Sequence, residues 1–170
     1  MLPGAVAGDA GAAPLEITEI KAEGFCVRLP GRWRQRRTGD LLELVEDGGG
    51  HRISIRAKNL PAPLADGALP ALVDRLLDEL RRSAVNAAEE HLDWENPPAL
   101  AGPDFLERRS VGGASGRPLR VALLARASSA RVVSATLVYR HTRGAELAPA
   151  ADFGALASVV FDQIGRGAAS

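Results

Sequence analysis

Three histidines, one cysteine, a set of helical carboxylates and nineteen arginines are the residues of this 170-residue chain whose types could do chemistry. A zinc centre draws on His, Cys and carboxylate ligands that the fold brings together, often three or four residues apart on a helix. His51, His91 and His141 fall on a hairpin turn, a strand start and a loop, so their spacing offers no metal site. Cys26 could serve as a nucleophile beside a histidine. Its neighbours carry no such signature, and within a strand it reads as a small buried hydrophobe. A lone cysteine also excludes an internal disulfide. The glycine run in "DGGGHR" is followed by neither a helix nor a Lys-Ser/Thr pair, so it does not read as a phosphate loop. The segment "VGGASGRP" leads into a strand, whereas a nucleophile elbow is G-x-S-x-G at a strand-to-helix turn. Asp74, Asp78 and Glu79 read as a solvated helix face paired with arginines. No catalytic residue, metal ligand or cofactor motif is assigned, and the chain reads as non-enzymatic.

The arginines remain. "LPGRWRQRR", Leu29 to Arg37, looks at first like a grip on nucleic acid. Lys plus Arg equals Asp plus Glu at 21 each, so there is no long-range field to concentrate a polyanion, and no aromatic series is interleaved with these cations. They read instead as decoration on a connection between strands, and nucleic acid is not expected as a partner. The excess of Arg over Lys fits GC-rich coding, as do the many Ala and Gly. A second arginine set alternates along strands. Arg52, Ser54 and Arg56 on one strand, Arg120, Leu124 and Arg126 on another, and Ser134 and Thr136 on a third could share one side of a sheet, left open as a partner-binding face if both helices cover the other side; the alternative is a small-anion-binding protein or an enzyme that holds an anion on these arginines.

The elements that would position these residues are legible from periodicity. "FCVRLP" (Phe25–Pro30) alternates with Phe25, Val27 and Leu29 on one face, after a short strand near Leu15–Ile20. Leu42 and Leu44 lead through Glu46-Asp47-Gly48-Gly49-Gly50 to a return strand with Ile53, Ile55 and Ala57 on one face, a hairpin. After a proline-rich loop, Asn59 to Pro70, the positions Leu69, Leu72, Val73, Leu76, Leu77 and Leu80 predict a helix running to about Ala88. Asp66, Gly67 or Ala68 would cap it, and the ion pairs Arg75–Glu79 and Asp78–Arg82 would line its outer face. Strands follow at about His91–Glu95, Asp104–Val111, Leu119–Arg126 and Val132–Arg140. A closing helix carries Phe153, Leu156, Val159, Val160 and Ile164 as its stripe, with Pro149 in its first turn and Gly165 as its cap. Hairpin connections make the sheet largely antiparallel, which gives an α+β class with about six strands flanked by helices.

Length fits one domain, divided into a flexible tail (residues 1–14), the domain (15–165) and a C-terminal tail (166–170). The N-terminus lacks a secretory pattern, and no apolar run approaches the ~20 residues of a membrane helix. Cytoplasmic location is the expectation.

The element "FCVRLPGRW" resembles the F-x-(apolar)-x-L-P-x-x-W opening of PsbP-like domains, matched by Phe25, Val27, Leu29, Pro30 and Trp33. That superfamily includes a photosystem extrinsic subunit, a Ran-binding nuclear transport factor, DcrB-like lipoproteins and the Eag-type chaperones of type VI secretion. The order of elements from Leu15 to Ile164 is similar too. The resemblance implies a helix-flanked antiparallel sheet and Phe25, Leu29, Pro30 and Trp33 as structural residues. It implies another polypeptide as partner, with no cofactor and no membrane insertion. The chaperone branch, which holds apolar segments of a secreted effector and often does so as a dimer, fits the expected compartment and size best.

Overall fold

A computed structural model describes residues 16–22, 24–65, 67–114, 119–140 and 150–168. The expected tail at 1–14, Asp66, His141 and Pro149 lie outside the described residues. The chain begins with a hairpin, β1 (Ile17–Ala22) and β2 (Phe25–Pro30), which stands apart as its own two-stranded sheet. The main sheet contains β3 (Trp33–Thr38), β4 (Leu41–Glu46), β5 (His51–Asn59), β6 (Asp93–Glu95), β7 (Leu100–Ala101), β8 (Phe105–Gly113), β9 (Leu119–Ser128) and β10 (Arg131–Arg140). Its order is β3-β4-β5-β10-β9-β8-β6, with β7 also paired to β8, and its pairings are antiparallel. Among the described residues two long helices complete the fold, α1 (Leu69–Ala88) and α2 (Ala150–Ala168). The α+β class and the largely antiparallel sheet are as the sequence predicts, and the sheet is larger than expected, with eight strands.

The two described helices lie on opposite faces of the sheet, giving the sheet sandwiched by helices that the resemblance implies, so the condition of both on one side is not met. The α1 stripe packs on β8 and β9, with Val73 and Leu77 buried against Val121, Leu123, Ala125 and Ala127. The other face packs against the β1–β2 hairpin and α2 together, burying Val27, Leu29, Leu44, Ile53, Ile55, Leu124, Leu137, Phe153, Phe161 and Ile164. Strand β9 is therefore buried on both sides from Val121 through Ala127, which explains its nearly unbroken apolar run.

Local chemistry explains the opening motif. Phe25, Val27 and Leu29 alternate inward, Gly31 turns the chain at φ +88°, and the Trp33 indole N–H donates to the Pro30 carbonyl at 2.8 Å. Glycine is required at that positive φ. Helix α2 docks on the free edge of β2 through an amide clamp. The Arg28 N–H donates to Gln163 Oε1 at 2.7 Å, and Gln163 Nε2 donates to the Arg28 carbonyl at 3.1 Å. One side chain thus satisfies both groups of an edge residue, as a neighbouring strand would. The proline-rich loop is tied to the β9–β10 turn, with Leu60 N–H donating to the Ala130 carbonyl and Leu64 N–H to that of Ser129.

Several sequence expectations are corrected. Trp33–Thr38 is a strand, not a bare connection. It was hidden because an edge strand exposed at every position from Arg34 to Thr38 has no apolar alternation to show. Cys26 is exposed, because it shares the outward face of β2 with Arg28. The buried stripe of α2 is Phe153, Ala157, Val160, Phe161 and Ile164, while Val159 is 50% exposed. Gly165 does not cap α2, which continues to Ala168 across the expected C-terminal tail. On α1, Asp78 pairs with Arg81 at 3.3 Å and Asp74 reaches Arg108 of β8 at 2.8 Å, rather than forming the expected Asp78–Arg82 pair. Ala68 occupies the cap position, without a side-chain bond.

Leu29→Ala, at a position with no exposed surface, should cost about 2–5 kcal/mol in urea denaturation. Val159→Ala on α2 should stay within about 0.5 kcal/mol.

Candidate functional site

The pairing register decides which side chains share a face. Arg52, Ser54 and Arg56 of β5 stand opposite Val138, Thr136 and Ser134 of β10, so five of the expected site residues do meet. The other three do not join them. Ser134 faces Ala125 and Thr136 faces Leu123, so Arg120, Leu124 and Arg126 point to the opposite side of the sheet. Leu124 is fully buried there under α2 and the hairpin. The cause is the β9–β10 turn, which spans only Ser129 and Ala130. Lengthening that connection by one residue would shift the register and swap the two faces.

Because α1 packs mainly on β8 and β9 and reaches only as far as β10, the same face is open over β3, β4 and β5. Next to Arg52 and Arg56, register places Arg34, Arg36, Lys58, Leu41, Glu43 and Val45 on it. Arg34, Arg36, Arg52, Arg56 and Lys58 are all exposed. Five cations with Glu43 among them, and Asp47 3.9 Å from Arg34 at the strand end, make a locally positive half-sheet in a chain of net charge zero. Where this half-sheet meets α1 runs a trough. One part, of about 180 Å³, lies between Ser83, Ala84 and Ala87 of the helix and Ser54, Thr136 and Val138 of the sheet. The next, of about 490 Å³, lies among Val45, Gly50, Arg52 and Arg140. Small helix residues keep the trough open. The Arg140 guanidinium sits at its end and donates to the Ala87 carbonyl near the C-terminus of α1, at 3.2 Å, where a cation is favoured.

Two polar clusters escaped the sequence reading. On the α2 side, Glu107 is 2% exposed and accepts from Arg109 Nε at 3.0 Å and from Arg126 Nη1 at 3.2 Å. Arg109 continues to Asp162 of α2 at 2.8 Å. The Arg126 guanidinium lies 3.9 Å from the centroid of the Phe105 ring. Gly165 lets α2 approach, since a Cβ there would sit 3.3 Å from Glu107 and 3.4 Å from Arg126. No local spacing announces this cluster, because β8, β9 and α2 are brought together only by the sheet.

The second cluster surrounds His51. Its ring lies 4.7 Å from Tyr139 and stacks on Phe153 at 6.3 Å between centroids, and its Nδ1 is 2.7 Å from Glu46 Oε2. The hydrogen bonds from His51, chiefly from its ring, hold the Glu46 carboxyl below its ordinary value of 4.5, against the opposing effect of burial. His51 is thus a packed residue joining the β4–β5 hairpin to α2. Among the described residues no group of three or more His, Cys, Asp or Glu could hold a metal ion.

Because the folded Glu46 carboxyl titrates below its unfolded value, its contribution to stability is present above about pH 4.5 and is lost as pH falls through the folded value. Wild type should therefore lose more stability than Glu46→Gln over this acid range in denaturant titrations; parallel profiles would contradict the assignment. Glu107→Ala, which leaves the buried Arg126 guanidinium without its carboxylate, should cost about 3–5 kcal/mol.

No protein-family model matches the chain, and no characterised protein sequence matches it significantly. Among solved structures it is similar to the solution structure of cyanobacterial PsbP (CyanoP) from Synechocystis sp. PCC 6803, with a TM-score of 0.56 and 10% sequence identity. The match covers 90% of this chain and 94% of that one. Among the described residues no helix is long and apolar enough to cross a membrane. At this identity the likeness speaks to architecture alone, and in architecture the chain has a PsbP-like α+β fold.

Proposed function

We propose that the chain is a non-enzymatic, cytoplasmic protein-binding domain that presents the open half of its main sheet to another polypeptide, as a chaperone or adaptor for a secreted effector. The observation that carries this reading is the half-sheet itself. Its exposed arginine and lysine heads surround Leu41, Val45 and the trough floor at Thr136 and Val138. Long cationic side chains cover apolar surface with their stems and keep their charges in water. Such a surface suits an extended segment that is apolar with acidic flanks, since charge complementarity would orient it and the trough would take its side chains. The PsbP-like architecture supports the reading only as far as fold.

Mixing the purified chain with the product of its neighbouring gene and passing both over a native sizing column tests it. The expected result is co-elution, with affinity lowered about tenfold or more by Arg52→Glu plus Arg56→Glu. Affinity should be unchanged by Arg120→Glu on the other face, and no binding is expected to a single-stranded DNA oligonucleotide. Failure to co-elute, or equal affinity in the double variant, would contradict the proposal.

A further inference from the structure

A cavity of about 420 Å³ opens on the opposite side of the sheet, at the β9–β10 turn. Its lining includes Asp104, Phe105, Arg126, Ser128, Ser129 and Arg131. That size falls within the range of small-molecule pockets, ~300–1,000 Å³. The notable member is Arg126, which is only 6% exposed. A guanidinium carries five N–H donors. Among the described residues Arg126 makes one hydrogen bond, from Nη1 to Glu107. Glu107 is shared with Arg109, which also reaches Asp162 at 2.8 Å, so two carboxylates face two guanidiniums in the cluster. The Phe105 ring covers one side of the guanidinium, its centroid 3.9 Å from Arg126 Cζ. A buried guanidinium anchored on one side in this way can present its planar fork to an oxyanion.

We propose that this cavity binds a small oxyanion, a carboxylate or phosphate group, with the Arg126 guanidinium as its main contact. Arg131 lines the cavity from the first residue of β10. The Ser129 hydroxyl at the turn lies within the lining as well. Ser128 contributes less, because its Oγ already accepts from the Arg131 and Ala130 N–H groups. Asp104 is the acidic residue of the lining; it opposes an anion and sets how tightly one is held. The site lies across the sheet from the proposed polypeptide face and stands or falls independently of it.

The test titrates inorganic phosphate and, separately, sodium acetate into the full chain at ionic strength held constant with sodium chloride, following backbone amide signals by NMR. Saturable shifts confined to Asp104–Phe105 and Ser128–Arg131 are expected for at least one anion, and the tighter anion identifies the group. Arg126→Lys, which keeps the charge but loses the fork, should weaken binding about tenfold. Asp104→Asn should tighten it severalfold, which a merely structural role for this cluster would not produce. Should Arg126→Lys unfold, the charge-neutral pair Glu107→Gln plus Arg126→Gln takes its place, with binding expected to be lost. Shifts that fail to saturate with both anions, or unchanged affinity in the Arg126 variants, would overturn the proposal.

Discussion

An α-helix with its side chains is about 10 Å across and strands in a sheet lie about 4.8 Å apart, so one helix shields roughly two strands. The arrangement of this molecule follows from that limit. Helix α1 spends its apolar stripe on β8 and β9, and the strands beyond β10 on that face must meet water or a partner. On the other face the chain supplies a second helix and also a separate hairpin, and together they cover the strands that α1 could not. The sequence obeys the same asymmetry. β9 is apolar on both faces, β10 and β5 are apolar toward the hairpin and mixed or charged on the other side, and β3 at the edge is polar at every position after Trp33.

The face covered twice is where the fold tolerates buried charge. Glu107, Arg109 and Arg126 lie under the C-terminal half of α2, whose Gly165 removes the side chain that would keep the helix away. Replacing such a cluster with packed apolar groups is often neutral or favourable to stability, so its presence is better explained by what it can contact than by what it adds to folding. The Gln163 clamp on β2 and the His51 ring against Phe153 show that α2 is fixed by specific polar geometry at several points along its length.

Most of the architecture was legible in the chain. Alternation in Phe25–Leu29 and Ile53–Ala57, the leucine stripe of α1 and the glycine-rich hairpin turn each pointed to the element that forms. The opening F-x-V-x-L-P-x-x-W pattern has a physical reason in the inward strand face, the positive φ of Gly31 and the Trp33–Pro30 bond. The edge strand was not legible, because burial creates alternation and β3 is barely buried. Half of the candidate site was legible and half was not. Both parities of β9 are apolar, so periodicity could not say whether Leu123 or Leu124 lies beside Thr136. That parity rests on a two-residue turn, and the Glu107–Arg126 contact rests on it in turn.

Partial coverage of the sheet is the central claim, and site-directed thiol labelling tests it most directly. In a Cys26→Ser background, Arg56→Cys should react with a maleimide nearly as fast as an unstructured peptide, while Ala125→Cys on the α1 side of β9 should react only on unfolding. Addition of a bound polypeptide partner should then slow the reaction at position 56 markedly. Slow labelling at position 56 in the free chain, or labelling there that a bound partner leaves unchanged, would contradict the account.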